Sequence, residues 1–183
     1  MTVAYKLSVD RYEQMIRAGI LTENDPVELI RGELIEKMPI GPSHIAAVNR
    51  LSRILNRKLI SSAIISIQNP IALEDSEPEP DVALLVMVND DYEEEKAKAR
   101  DAFLLIEVSD STLEFDRTTK LALYAEAGIR EYWVVNLLDQ QLEVHRQPQS
   151  DGTFRDNLIL TRGQAVEILA FPGVRFQIAE MLG

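Results

Sequence analysis

Two carboxylates lie beside apolar strands, where an ionised group needs a partner. Asp81 follows Pro80 and precedes the apolar run Val82 to Val88, and Glu107 lies inside the sequence LLIEVSD. A buried carboxylate must be hydrated, paired or bound to metal. A divalent cation shared by Asp81 and Glu107 would compensate both, because hard oxygen ligands, waters and a substrate phosphate form a typical magnesium site. The alternative is that Glu107 simply ends its strand in contact with water.

Lys120 is the third residue whose position suggests chemistry. It lies on the helix predicted after the Glu107 strand, with Asp116 one turn before it and Tyr124 one turn after it. The first turns of such a helix lie near the end of the preceding strand, so Lys120 could reach Glu107. A cation there would orient a nucleophilic water and offset phosphate charge. The alternative is a surface lysine that pairs with Asp116.

The composition is that of an ordinary globular protein. The chain has 183 residues, a formal net charge of −11 and no cysteine, which excludes disulfides, thiolate zinc sites and cysteine nucleophiles. Its length predicts one domain, residues 1–183. No aliphatic run is long enough to cross a bilayer and no signal peptide is visible, so we expect a cytoplasmic protein that does not use a membrane.

The charge is unevenly distributed along the chain. Residues 74–95 contain ten acids and no Lys or Arg, whereas residues 37–73 contain five basic residues and no acid. Net negative charge argues against non-specific binding of nucleic acid, but the basic stretch predicts a helix whose Arg50, Arg53 and Arg57 could face backbone phosphates. The acids at 90–95 have no predicted function.

The order of elements predicts an α/β (α+β) fold. We expect helices at 8–18, from a Ser43 cap to about 59, and from an Asp116 cap to 127. A hairpin is expected at 27–39 and strands at 63–73, 80–88, 102–108, 131–136 and 142–147, followed by further C-terminal strands. The unit 102–136 reads strand, helix, strand, a length that suits a crossover between parallel strands.

The sequence resembles a known family across most of its length. The order P-D, E-V-S and D-R-T-T-K-L-x-x-Y-x-x-x-G-I-x-E-Y-W-V-V, with V-E-L-I-R-G-E-L-I-E and P-S-H before it, is similar to the "putative restriction endonuclease" family of the PD-(D/E)XK nuclease-like superfamily. The resemblance implies a restriction-endonuclease-like core, a mixed central sheet flanked by helices, and metal-dependent cleavage of DNA with Mg or Mn.

Site residues follow from the resemblance position by position. It implies Asp81 and Glu107 as metal ligands, the Val108 carbonyl and Glu33 as further ligands, and Lys120 as a catalytic residue. The superfamily motif places a lysine two residues after the glutamate, where this chain has Ser109. Accessory positions are Glu28, His44, Ser109, Asp116 and Tyr124.

Three classes of function remain open from the sequence. The first is a DNA endonuclease, the second a binding or interaction protein that keeps the fold without the chemistry, and the third a metal-dependent hydrolase of RNA or a nucleotide. Exposed edges among the C-terminal strands also suggest a homodimer.

Overall fold

The computed structural model describes residues 4–22 and 24–183 and contains a mixture of strands and helices. The strands are β1 (Val27–Ile30), β2 (Glu33–Glu36), β3 (Ile64–Ile67), β4 (Val82–Leu85), β5 (Ala102–Ser109), β6 (Glu131–Asn136), β7 (Gln141–Pro148), β8 (Phe154–Thr161), β9 (Ala165–Glu167) and β10 (Arg175–Gln177). The helices are α1 (Val9–Arg17), α2 (Pro42–Leu59), α3 (Leu113–Phe115), α4 (Leu121–Glu126) and α5 (Ile178–Leu182), with a 3₁₀ turn at Ala99–Asp101 and a π-helical segment at Asp116–Lys120.

The central element is a six-stranded mixed sheet with the order β3-β4-β5-β6-β7-β8. Strands β5 and β6 are parallel, and the other neighbouring pairs are antiparallel. The predicted crossover is therefore confirmed: the helical segments between β5 and β6 join two parallel strands. Helices flank the sheet and short C-terminal strands follow it, which confirms the predicted fold class.

The two faces of the sheet bury different sets of side chains. Alternate residues of β5 point to opposite faces, so Leu104 and Ile106 pack in one core with Leu51 of α2. Leu105 packs in the other core beside Tyr124 of α4. Glu107 shares the face of Leu105, which directs it toward the helical crossover.

The hairpin and first helix agree with the sequence prediction. Ser8 caps α1 and accepts a hydrogen bond from the Arg11 N–H at 3.3 Å. Strands β1 and β2 pair across Arg31 and Gly32, which have φ values of 50° and 75°. Positive φ at both central residues is the geometry of a tight hairpin turn.

Two predicted helix starts are wrong. Helix α2 begins at Pro42 with Gly41 as its N-cap, so Ser43 lies inside the helix. Proline suits the first helical position, because its φ angle is fixed near the helical value and an N–H there would have no partner within the helix. The second helical region begins at Leu113, so Asp116 lies within the helix rather than at its cap. The predicted strands 63–73 and 80–88 are also shorter than expected, because the chain from 68 to 81 forms a loop.

Candidate active site

Strands β4 and β5 bring Asp81 and Glu107 together. Val82 pairs with Ile106 in the antiparallel ladder, so the same register places Asp81 opposite Glu107. Asp81 lies just before β4, and its Oδ2 accepts the N–H of Val108, the residue after Glu107, at 2.8 Å. Asp81 and Glu107 are both buried, with 8% and 3% of their surface exposed. These two predicted ligands therefore share one location at the edge where β4 begins.

Lys120 and Tyr124 reach Glu107 from the helical crossover. Lys120 Nζ lies 3.0 Å from Glu107 Oε1, and the Tyr124 hydroxyl donates to the same oxygen at 2.8 Å. Lys120 Nζ also lies 3.4 Å from Oε1 of Glu28, on β1. One ammonium group thus bridges two carboxylates. The alternative of a surface lysine paired with Asp116 is wrong, since Lys120 is buried and its partners are Glu107 and Glu28.

Asp116 has a separate set of donors. Its carboxylate accepts hydrogen bonds from the hydroxyls of Ser109 at 2.8 Å and Thr112 at 2.6 Å. Its carbonyl accepts from the Tyr132 hydroxyl at 3.0 Å. Ser109, at the position where the superfamily motif has a lysine, therefore binds the crossover helix instead. Glu28 is held in turn by the backbone N–H of Glu79 at 3.0 Å.

Asp81 is held by three donors. Its Oδ2 accepts from the Val108 N–H at 2.8 Å and lies 3.0 Å from Nε2 of His44, in the first turn of α2. Its Oδ1 accepts a longer bond, 3.3 Å, from the Gln68 amide. The sequence did not identify Gln68 as a site residue, because it predicted a strand over residues 63–73. In the structure β3 ends at Ile67, and Gln68 contacts Asp81 from the loop that follows.

Several residues named from the sequence lie outside this cluster. Glu33 is exposed and pairs with Lys6 at 2.6 Å, while its hairpin neighbour Glu28 faces inward. Arg50 donates to the carbonyls of Met181 and Leu182 in the C-terminal helix. Arg57 lies 3.6 Å from Glu180 in that same helix, and Arg53 is exposed. On the basic face of α2, Arg50 is thus occupied by the C-terminal segment, whereas Arg53 and Arg57 are largely exposed.

Negative charge exceeds positive charge in what we call the carboxylate cluster: Glu28, Asp81, Glu107 and Asp116. All four are buried, and Lys120 is the buried lysine that accompanies them. Burial raises the pKa of Glu107 well above its usual range, with neighbouring carboxylates adding to the effect and Lys120 opposing it. Burial would lower the pKa of Lys120, but the surrounding carboxylates outweigh it and raise that pKa. The cluster would be stabilised by a further cation.

The donor set suits a magnesium site built from two carboxylates. Within residues 4–22 and 24–183, no group of three or more Asp, Glu or His side chains is arranged to hold a metal ion, and Lys120 Nζ contacts both Glu28 and Glu107. Magnesium commonly binds through one or two carboxylates and keeps waters and substrate phosphate as its other ligands. The opposed carboxylates of Asp81 and Glu107 fit that arrangement.

A pocket of about 910 Å³ lies at the other end of β5, where Ala102, Leu123 and Arg130 line it. The carboxylate cluster does not line this pocket. The charged residues that line the pocket are three acids and three basic residues, so the pocket has no excess of negative charge comparable to that of the cluster. We therefore place the candidate site at the carboxylates. None of the described helices is long and apolar enough to cross a membrane.

Comparisons with known proteins agree with this fold. A crystal structure of "a putative nuclease belonging to DUF820" from Anabaena variabilis matches with a TM-score of 0.74 and 17% sequence identity, covering 96% of this chain and 97% of that one. The fold is therefore that of a nuclease-like protein. A family model described as "Putative restriction endonuclease" (Uma2) matches residues 9–179, and the chain belongs to that family. No match was found among curated proteins.

Proposed function

We propose that this protein is a divalent-metal-dependent endonuclease that hydrolyses DNA phosphodiester bonds. The observation that carries the proposal is the excess of buried carboxylates over buried cations at the start of β4 and the end of β5. Apolar residues in place of buried ion pairs are often as stable or more stable, so stability alone does not explain an excess of buried carboxylates. Groups whose pKa is strongly shifted cluster at functional sites. Membership of a nuclease family supports a nucleic acid as the substrate.

Asp81 and Glu107 would hold the metal, with the carbonyl of Val108 available beside them. Magnesium or manganese, when bound, polarises a phosphoryl oxygen and lowers the pKa of a coordinated water. The carboxylate of Glu107 is oriented for this role by the Tyr124 hydroxyl and by Lys120, which both occupy Oε1. No hydrogen bond among the described residues occupies the other oxygen, Oε2, so it would be available to a bound cation.

Lys120 would stabilise the negative charge that develops on the phosphoryl group. Its ammonium is held between Glu107 and Glu28, and a fixed cation in a site with little water acts more strongly than one in solvent. The 3.0 Å contact with Glu107 supports the view that Lys120 replaces the motif lysine, whose usual position is Ser109 in this chain. Glu28 would position Lys120 without touching the metal.

The proposal is tested by cleavage of supercoiled plasmid DNA in magnesium or manganese. We expect nicking by the wild-type protein, loss of nicking in Asp81→Asn, and no nicking in the presence of EDTA. Glu95→Gln, which changes an exposed acid paired with Lys98, is the control and should cleave normally. Cleavage by Asp81→Asn at the wild-type rate would refute the proposed site. A single-stranded RNA substrate in parallel separates DNA from RNA hydrolysis.

A binding protein that keeps the fold without the chemistry is the second candidate. Ser109 favours it, because the residue at the motif position binds Asp116 rather than a substrate. That candidate predicts no cleavage and no stabilisation by magnesium, since only a ligand that binds the native state raises the unfolding free energy. A thermal-shift titration with magnesium therefore distinguishes the two functions before any substrate is known.

A further inference from the structure

His44 makes a single polar contact. Its Nε2 lies 3.0 Å from Asp81 Oδ2, and its Nδ1 is buried with no hydrogen-bond partner in the described part of the chain. A buried polar atom without a partner costs about 1–3 kcal/mol. A leucine or methionine at this position in α2 would fill the space without that cost, so packing alone does not account for the histidine.

The two oxygens of Asp81 differ in their surroundings. Oδ2 has two close neighbours, the Val108 N–H at 2.8 Å and His44 Nε2 at 3.0 Å, which use both of its lone-pair directions. Among the described residues, Oδ1 has only the Gln68 amide, at 3.3 Å. Strand β4 begins one residue later, so Asp81 Oδ2 accepts the Val108 N–H at the end of the β4–β5 ladder.

We propose that His44 is a positioning residue that holds Asp81 Oδ2 and so directs Oδ1 alone to the divalent metal. The inference rests on the proposed metal-dependent function. The Nε2–H of the imidazole donates to Oδ2, because the oxygen of an ionised carboxylate can only accept. Val108 supplies a second donor to the same oxygen, and two fixed donors prevent rotation of the carboxylate about a single hydrogen bond.

Loss of the histidine donor should therefore weaken metal binding without removing a ligand. Hydrogen bonds that orient a metal-binding side chain typically contribute about 10–100-fold to metal affinity. The donor matters rather than the ring, so an amide placed at the same point should substitute for it. In His44→Gln the amide nitrogen takes the place of Nε2. In His44→Asn it takes the place of Nδ1 and falls short of Asp81.

Isothermal titration calorimetry of the full-length protein with Mn²⁺ alone tests the inference. We expect His44→Leu and His44→Asn to raise the dissociation constant about 10–100-fold, and His44→Gln to stay within about threefold of wild type. Thermal unfolding of each metal-free variant checks that it is folded. If His44→Leu fails to fold, the comparison of His44→Asn with His44→Gln retains the same contrast between a displaced donor and a retained one.

The outcomes separate this inference from the function on which it rests. Wild-type affinity in both His44→Leu and His44→Asn would overturn the positioning role while leaving the metal site intact. Equal weakening in His44→Gln and His44→Asn would also overturn it, because the ring itself and not its donor would then be required. A wild-type protein that binds no Mn²⁺ would overturn both proposals.

Discussion

Two buried glutamates lie on either side of the same π-helical segment and have opposite electrostatic surroundings. Glu143 on β7 accepts hydrogen bonds from Arg117 at 2.9 Å and from Asn136 at 2.9 Å. Despite burial, which opposes ionisation, these donors lower its pKa below the usual range. Glu107 on β5 has Lys120, but three other buried carboxylates share that neighbourhood, and burial raises its pKa.

The difference distinguishes an acid whose charge is balanced from one that we propose to be functional. Arg117 binds Glu143 through a paired guanidinium contact. It also lies 3.6 Å from Asp139, but that carboxylate is exposed to solvent, so the buried charges balance. Lys120 pairs with both Glu107 and Glu28, so its single positive charge does not balance the four carboxylates of the cluster. A buried site with excess carboxylates is stabilised by a cation from outside the chain or by a proton, as the raised pKa of Glu107 indicates, whereas a balanced site needs neither.

The largest expected effect is the loss of catalytic activity in the variant Glu107→Gln. We expect the rate of plasmid cleavage to fall about a thousandfold or more, since loss of a metal ligand removes several kcal/mol of transition-state stabilisation. Glu143→Gln should cleave at close to the wild-type rate when both are assayed well below their unfolding temperatures. Single-turnover kinetics measures both variants, and equal losses in the two would remove the distinction between them.

A smaller effect is expected from magnesium on stability. If the cluster binds the cation in the native state only, magnesium at about 100 times its dissociation constant should raise the unfolding free energy by about 2.7 kcal/mol. Glu143→Gln should keep this increase and Glu107→Gln should lose it. Chemical denaturation with and without magnesium provides the measurement. Stabilisation of Glu107→Gln to the wild-type extent would place the cation elsewhere.

Removal of the balanced acid should destabilise the metal-free protein modestly. Glu143→Gln leaves Arg117 without its main partner, and we expect a loss of about 1–2 kcal/mol, in the range for a partly exposed charge-assisted hydrogen bond. In contrast, Glu107→Gln removes a carboxylate from an overcharged site and should cost less. Urea denaturation of both metal-free variants checks the order, and the reverse order would contradict the charge comparison.

The smallest expected effect is the pH dependence of that destabilisation. Because the pKa of Glu143 is lowered, its stabilising contribution is present above pH 4.5, its ordinary value, and is lost as the pH falls through the folded-state pKa. The difference in unfolding free energy between wild type and Glu143→Gln should therefore shrink in acid. Measurements at pH 3 to 7 test the direction, and a constant difference would show that the charge is not involved.

Patterns within single elements were predictable from the sequence, and contacts between distant elements were not. The apolar run around Glu107 indicated a buried strand, and the helix after it placed Lys120 near the same strand end. Glu28 and Glu33 both lie on the short hairpin, and the sequence-based prediction named Glu33 as the metal ligand. The contacts that hold Glu28 in the interior are with the N–H of Glu79, 51 residues away along the chain, and with Lys120, and neither contact has a local signal.

The basic helix shows the same limit. Charge clustering indicated a phosphate-facing surface at Arg50, Arg53 and Arg57. In the structure Arg50 instead binds two C-terminal carbonyls, a role that depends on a helix at the far end of the chain. Residue type predicted that these side chains would bind oxygen atoms, but only the packing of α5 against α2 determines whose oxygen atoms they are.

The π-helical turn has a consequence for how easily the site could be lost. A π turn is an α-helix with one residue inserted, and Asp116–Lys120 carries Lys120 toward Glu107 and Arg117 toward Glu143 on either side of that insertion. Deleting Thr118 or Thr119 from this segment would restore α-helical phase and rotate the following helical residues by about 100° relative to the residues before it. Every amino acid of the candidate site would remain in the sequence, yet Lys120 and Tyr124 would no longer face Glu107.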